Sequence, residues 1–406
     1  MATIATTSNV TRALVILLGA AVFLNYVDRG AIAVAAPLMK GELGLSATEF
    51  GTAVSAFFWI YAPVQFVIGW LCDRFSVYRL MAWGVVLWAA STLLMGFIGG
   101  FVSLLVLRVI LGVGESVVFP ASGKIIARHV PAEGRGLANA WCAAGIALGP
   151  AVGTLAGGMI LASLGWRAIF IAFGAATLIW LVPWQRVVAA LPVGHERAGE
   201  PTVPMRRLLK SKALWSMGIG HAAGNYGFYF LLAWLPLYLV QERGLSIRDM
   251  TLLATLGYAT QAVAAFSLGS LSDRWTRSGR SEALVRRWML AGGQLLMAAC
   301  ILGVSVTHNI AGLALLLCLA GVATASLSMN LYSVAQMFAG PRAAGTWIGV
   351  QNAVGNISGI LGPVISGVLI DRAGYGSAFA LAAGVAAFGA IWWVIGIPRI
   401  EQVDLD

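Results

Sequence analysis

The sequence predicts an all-α membrane protein with twelve transmembrane helices in two pseudo-symmetric halves of six. Three observations predict it: the composition, a run of apolar windows of spanning length, and a string of residues that recurs at the same place in each half. Of the 406 residues, 59% are hydrophobic and only 10% are charged, whereas a soluble domain carries roughly a quarter charged residues. A helix crossing the roughly 30 Å hydrocarbon core needs about 20 mostly apolar residues.

Windows of that length place six spans near 12–36, 48–72, 78–98, 101–127, 136–162 and 166–190. Six more fall near 212–241, 249–272, 285–306, 309–337, 344–371 and 375–397. The expected domains are therefore an N-terminal bundle over 1–190, a cytoplasmic linker over 191–211 and a C-terminal bundle over 212–406. The linker holds the least hydrophobic internal stretch, with Pro192, Pro201 and Pro204 before a basic run. A β-barrel would show short alternating segments, and the long Ala/Leu/Gly/Val runs do not alternate. The first apolar stretch is long and carries Asp28 and Arg29 inside it, which predicts a retained span rather than a cleaved signal.

The formal net charge of +10 does not mark a nucleic-acid binder, because the basic residues are spread loop by loop. With a cytoplasmic N-terminus, the inside segments collect Arg74, Arg79, Lys124, Arg128, Arg206, Arg207 and many more, while the outside loops hold only Lys40, Arg167, Arg243, Arg248 and Arg372. This is the positive-inside asymmetry. It predicts a multi-pass protein of the cell (inner) membrane with both termini in the cytoplasm. Cys72, Cys142, Cys300 and Cys318 form no CxxC pair and no metal-ligand spacing, so they read as packing thiols and no metal is expected.

Internal repetition supports the two halves. Gly69-Trp-Leu-Cys-Asp73-Arg74 follows the second span, and Gly269-Ser-Leu-Ser-Asp273-Arg274 follows the eighth. An Asp beside an Arg at the rim of a helix either caps and orients it or latches two helices in one state; two copies at equivalent places favour a latch formed by Asp73, Arg74, Asp273 and Arg274. This string resembles a loop motif of the major facilitator superfamily, though Ser76 stands where that motif usually continues with glycine. Gly145, Gly149, Gly153 and Gly157 repeat every fourth residue and form one small-residue stripe on span five. Gly345, Gly349, Gly355 and Gly359 suggest something similar in span eleven. The stretch from Gly145 through Gly149-Pro150 to Gly153 also looks like a motif of drug/proton antiporters.

Ionisable residues at span depth cost about 2.5–3.5 kcal/mol on insertion scales and are functional candidates by default. Span one carries Asn25-Tyr26-Val27-Asp28-Arg29, and span four carries Arg108 and Glu115. Asn25, Tyr26 and Arg29 share a helix face. Arg29 offers a planar fork of donors suited to a carboxylate and stays charged, which makes it the expected anion clamp. Asp28 and Glu115 can change charge, and Arg108 is placed to trade between them, coupling proton uptake to conformation. The alternative is two internal ion pairs that only neutralise one another.

Taken together, N-Y-x-D-R in span one, Phe57, Trp59, Tyr61 and Gln65 in span two, Arg108, Gly112, Glu115 and Phe119-Pro120 in span four, and Gly349 to Asn356 in span eleven resemble the anion:cation symporter family. That family includes galactonate, glucarate and hexuronate carriers. The resemblance implies that Arg29 binds a substrate carboxylate and that Asp28 and Glu115 take part in proton coupling. It places Tyr26, Tyr61 and Asn352 in the substrate site, with Gln65, His221, Tyr332 and Asn356 as further contacts. His221 departs from the pattern, since sugar-acid carriers have a glutamine there; it reads a substrate hydroxyl or carboxylate, or it is a packed core residue.

The expected function is secondary active transport: proton-coupled symport of a small organic anion by alternating access. A proton-linked drug exporter and a transporter-like sensor are the alternatives. No Walker A string, HExxH or GxSxG occurs, so no enzyme and no ATP-driven pump is expected. No cofactor is expected beyond a coupling ion, H+. The expected partners are a carboxylate-containing substrate and the lipid bilayer, with no nucleic acid, and the chain is expected to be a monomer.

Overall fold

In a computed structural model, residues 2–130, 135–191 and 205–404 are described, although some side chains within those segments are not. Among the described residues there is no strand. The helices are α1 (Ala2–Glu42), α2 (Ala47–Arg74), α3 (Val77–Met95), α4 (Phe101–Glu115), α5 (Val118–His129), α6 (Arg135–Leu164) and α7 (Trp166–Ala189). They continue as α8 (Met205–Leu208), α9 (Lys212–Leu237), α10 (Ile247–Arg277), α11 (Glu282–Val306), α12 (Ile310–Gly355) and α13 (Ile357–Ile395).

Ten stretches among the described residues are long and apolar enough to cross a membrane. Expected span two is not among them, and expected spans eleven and twelve fall in a single stretch. Expected span four is one stretch, Phe101–Ile126, interrupted between α4 and α5 at Ser116–Val117, because Pro120 has no N–H to donate to the carbonyl of Ser116. The stretch Thr346–Ile395 is 50 residues long, about 75 Å of helix and enough for two crossings. Within it the chain turns at Gly374, where φ is +77°. Gly340 makes the same kind of turn inside α12 with φ +64°, and both angles lie in the left-handed region that glycine adopts without penalty.

The chain divides into two compact units. The first comprises Met1–Leu45, Thr52–Ala198 and Val240–Thr251; the second comprises Ser46–Gly51, Gly199–Leu239 and Leu252–Asp406.

Close packing in the first unit follows the glycine stripe. A Cβ at Gly145 would lie 2.8 Å from the Phe23 amide nitrogen, one at Gly149 2.6 Å from Tyr26 Cβ, and one at Gly153 2.8 Å from Val27 Cα. Only hydrogen fits, so α6 lies directly on α1 and fixes the height and rotation of Tyr26. Gly84 on α3 and Gly114 on α4 likewise face each other across the helix crossing.

In the second unit the expected span-eleven stripe is not continuous. A Cβ at Gly349 would meet nothing within 4 Å, whereas one at Gly355 would collide with the His221 ring at 2.4 Å. The core here contains Trp347, Trp393, Phe338 and Leu290, with Phe338 stacked on Trp347 at 5.8 Å. Of the four free cysteines, Cys72 and Cys300 are buried, while Cys142 and Cys318 are only partly so.

Candidate functional site

The first unit gathers its ionisable residues around α1. Arg29 Nε donates to Glu115 Oε2 at 2.9 Å. The Glu115 side chain is fully enclosed and that of Arg29 keeps 13% exposure, so the arginine is the member of the pair that a solute can reach. Three aromatic rings surround the guanidinium: its carbon lies 4.7 Å from the centroid of Tyr61, 4.9 Å from Tyr26 and 5.2 Å from Phe57. Such contacts hold a cation partly out of water without neutralising it. The expected substrate-site residues Arg29, Tyr26 and Tyr61 thus come together, and Gln65 is half-buried on α2.

Asp28 is organised from α3, which the sequence reading missed. Its Oδ2 accepts hydrogen bonds from Trp88 Nε1 and from the Thr92 hydroxyl. Trp88 and Thr92 are four apart on one face of α3, but nothing in the sequence ties that face to Asp28. The opposite oxygen, Oδ1, is buried with no hydrogen-bond partner, as are Glu115 Oε1 and both amide atoms of Asn25. Each acid therefore has one oxygen held and one oxygen open. Buried polar atoms are almost always paired, so these open carboxylate oxygens are exceptions, with lone pairs available to a proton or a polar ligand.

Arg108 departs from the expected placement. It does not bridge the acids; its Nε donates to the carbonyl of Ala53 at 3.2 Å and its Nη2 to that of Val54 at 3.1 Å. Asp28 and Glu115 are near enough to act on it electrostatically. The reason for its placement lies one turn further along α4. A Cβ at Gly112 would lie 2.4 Å from the carbonyl oxygen of Phe57, so α4 rides on the backbone of α2, where α2 presents its carbonyls to Arg108.

The second unit holds the remaining candidates. His221 is buried at 3% exposure, its ring packed on Gly355 and its Nδ1 unpartnered. Asn225 Nδ2 donates to the carbonyl of Gly355 at 3.3 Å, and the Tyr229 hydroxyl donates to Asn356 Oδ1 at 2.7 Å. Asn356 Nδ2 donates back to the carbonyl of Asn352, which is half-buried. Gln294 and Gln351 are buried too, and both amide atoms of Gln351 lack a partner; Gln351 lies in the span-eleven motif but is not among the expected site residues, and Gln294 is missed by the sequence reading. Tyr332 is 40% exposed.

Of the proposed latch, the side chains of Asp73, Arg74 and Asp273 lie outside the described residues, and Arg274 is exposed at the end of α10. No group of three or more His, Cys, Asp or Glu able to hold a metal occurs among the described residues.

The sequence profile of the Major Facilitator Superfamily matches residues 18–285 and 252–404. The chain belongs to the major facilitator superfamily. It is similar to a probable chloroplastic anion transporter of Oryza sativa subsp. japonica, at 29% identity over 90% of this chain and 65% of the rice protein. It is similar as well to the hexuronate transporter of Bacillus subtilis (strain 168), at 28% identity over 91% of this chain and 90% of that protein. The crystal structure of a bacterial homologue of the human lysosomal transporter Spinster superposes with a TM-score of 0.76 at 20% identity, covering 94% of each chain. As a major facilitator protein the chain is a multi-pass membrane transporter and not an enzyme.

Proposed function

We propose that this transporter carries a small organic anion, a sugar acid or another carboxylate, by proton-coupled symport. The observation that carries the reading is the Arg29–Glu115 pair: an accessible guanidinium in an aromatic box whose present partner is an enclosed carboxylate. A carboxylate solute and Glu115 compete for the same donors. Binding of the solute displaces Glu115, and a carboxylate left in an apolar enclosure without its cation takes up a proton instead of remaining charged. Anion and proton then enter together, and loss of the proton lets Glu115 recapture Arg29 and expel the anion.

Asp28 is the second proton carrier in this scheme. Trp88 and Thr92 hold one of its oxygens in place, and the other is open. The relatives support the substrate class, since one is a probable anion transporter and the other a hexuronate transporter. The proposed setting is the inner membrane, with both termini in the cytoplasm and a monomeric carrier. The glycine stripe that resembles drug antiporters is accounted for by the contact of α6 with α1, and a fixed cation in the site opposes cationic drugs.

Proteoliposomes test the reading. Preloaded hexuronate or galactonate is expected to drive counterflow of labelled ligand, and an inward proton gradient is expected to drive its accumulation. Binding without counterflow would make the chain a sensor, and transport of cationic drugs with no response to carboxylates would make it an exporter.

A further inference from the structure

The transport scheme uses Phe57 only as one wall of the box around Arg29. Its ring is 2% exposed. The guanidinium carbon of Arg29 lies 5.2 Å from the ring centroid, and that of Arg108 lies 5.1 Å from the same centroid. One aromatic ring therefore contacts both arginines, the one paired with Glu115 and the one bound to the carbonyls of Ala53 and Val54.

The ring cannot drift. Its own carbonyl is pressed on Gly112 of α4, and its plane stacks on Tyr61 at 4.9 Å. Gly112 lies between Arg108 and Glu115 in α4, four residues after one and three before the other. The contact therefore sets Phe57 level with the space between the α4 cation and the α4 anion. Without an attractive face on Phe57, Arg108 has a stronger electrostatic destination close by, the enclosed carboxylate of Glu115.

We propose that Phe57 is a positioning residue that keeps Arg108 off Glu115, so that Glu115 is contested only by Arg29 and the solute. The proposal rests on the transport reading above. It adds a coupling role to the contact that Phe57 makes with Arg29. During anion exchange Arg29 passes from one solute to the next, and Glu115 is not required to re-pair. During net accumulation the empty carrier must restore the Arg29–Glu115 pair, and there a displaced Arg108 competes.

The test replaces Phe57 with mono-, di- and trifluorophenylalanine, which weaken the ring's attraction for cations with little change of size. In proteoliposomes, pH-gradient-driven accumulation of hexuronate or galactonate is expected to fall stepwise, by about fivefold or more at the trifluoro ring. Counterflow is expected to fall less steeply than accumulation, because the ring also faces Arg29, and the growing split between the two along the series is what marks the coupling role. F57L is expected to match the trifluoro ring, and F57Y to match the parent.

Accumulation that is flat across the fluorinated series overturns the proposal, and so does a parallel fall of accumulation and counterflow, which would mark a packing role. Failure of the parent protein to show counterflow is a different result. It would remove the transport reading, and this proposal with it.

Discussion

The two units bury different kinds of polar residue. Among the described residues, the fully buried charged side chains Asp28, Arg108 and Glu115 all lie in the first unit, while the second buries uncharged groups such as His221, Gln294, Asn330, Gln351 and Asn356. Their packing differs too. The stripe from Gly145 to Gly153 is in close contact with α1, whereas Gly349 has open space around it. A unit with enclosed charges on tightly fixed helices suits coupling, because charge and proton must trade at defined atoms. A unit whose buried polar groups carry no fixed charge offers hydrogen-bond donors and acceptors and suits selection by shape and hydrogen bonding.

That contrast is broken or sharpened by substitution, beginning with the largest expected effect. Arg29→Ala should lower affinity for carboxylates by more than about 100-fold in calorimetry, since the charge-assisted contact is lost and Glu115 is left unpaired. Unchanged affinity would remove Arg29 from the clamp role. Glu115→Gln should leave counterflow in place and reduce pH-driven accumulation by about tenfold or more, because the amide cannot carry the proton. His221→Gln in the second unit should alter which carboxylate is preferred and leave coupling intact; loss of pH-driven accumulation by this variant would erase the division between the units.

Smaller effects concern stability. Gly153→Ala should destabilise the protein by about 1–3 kcal/mol, because its Cβ would press on the Val27 backbone. Gly349→Ala should be neutral or stabilising by up to about 1 kcal/mol, since the space is open and alanine favours helix. Thermal unfolding in one detergent compares the two, and equal losses would contradict the packing difference.

The smallest effect is expected at the end of α5, where His129 pairs with the Tyr78 hydroxyl. Burial and the like charge of Arg128 lower its pKa below the ordinary 6.5. The unfolded chain then binds the proton more readily, so His129 supports the fold above that value and its contribution fades as pH falls. His129→Gln should flatten the acid side of the unfolding profile; an unchanged slope would remove His129 from it.

Fold and function class were readable because both rest on patterns that survive projection onto a string. Spanning windows and repeated loops need no knowledge of neighbours, and the spacing of Gly145, Gly149 and Gly153 announces a helix contact before its partner is known. Arg29 and Glu115 could be nominated because a charge in an apolar window is conspicuous on its own. Their direct pairing, the hold of Trp88 and Thr92 on Asp28, and the attachment of Arg108 to the carbonyls of Ala53 and Val54 depend on how α1 to α4 meet. No residue spacing encodes that meeting. Arg108 shows the difference clearly, since its charge suggested an acid as partner, while Gly112 brought it to a backbone.

In the proposed cycle Glu115 gives up Arg29 to the solute and takes a proton in return. Calorimetry of hexuronate or galactonate binding in buffers of different ionisation enthalpy counts that proton directly. Uptake of about one proton per bound carboxylate at neutral pH is predicted for the parent protein, with uptake reduced and binding retained in Glu115→Gln. Carboxylate binding with no proton uptake, or uptake undiminished in Glu115→Gln, would contradict it.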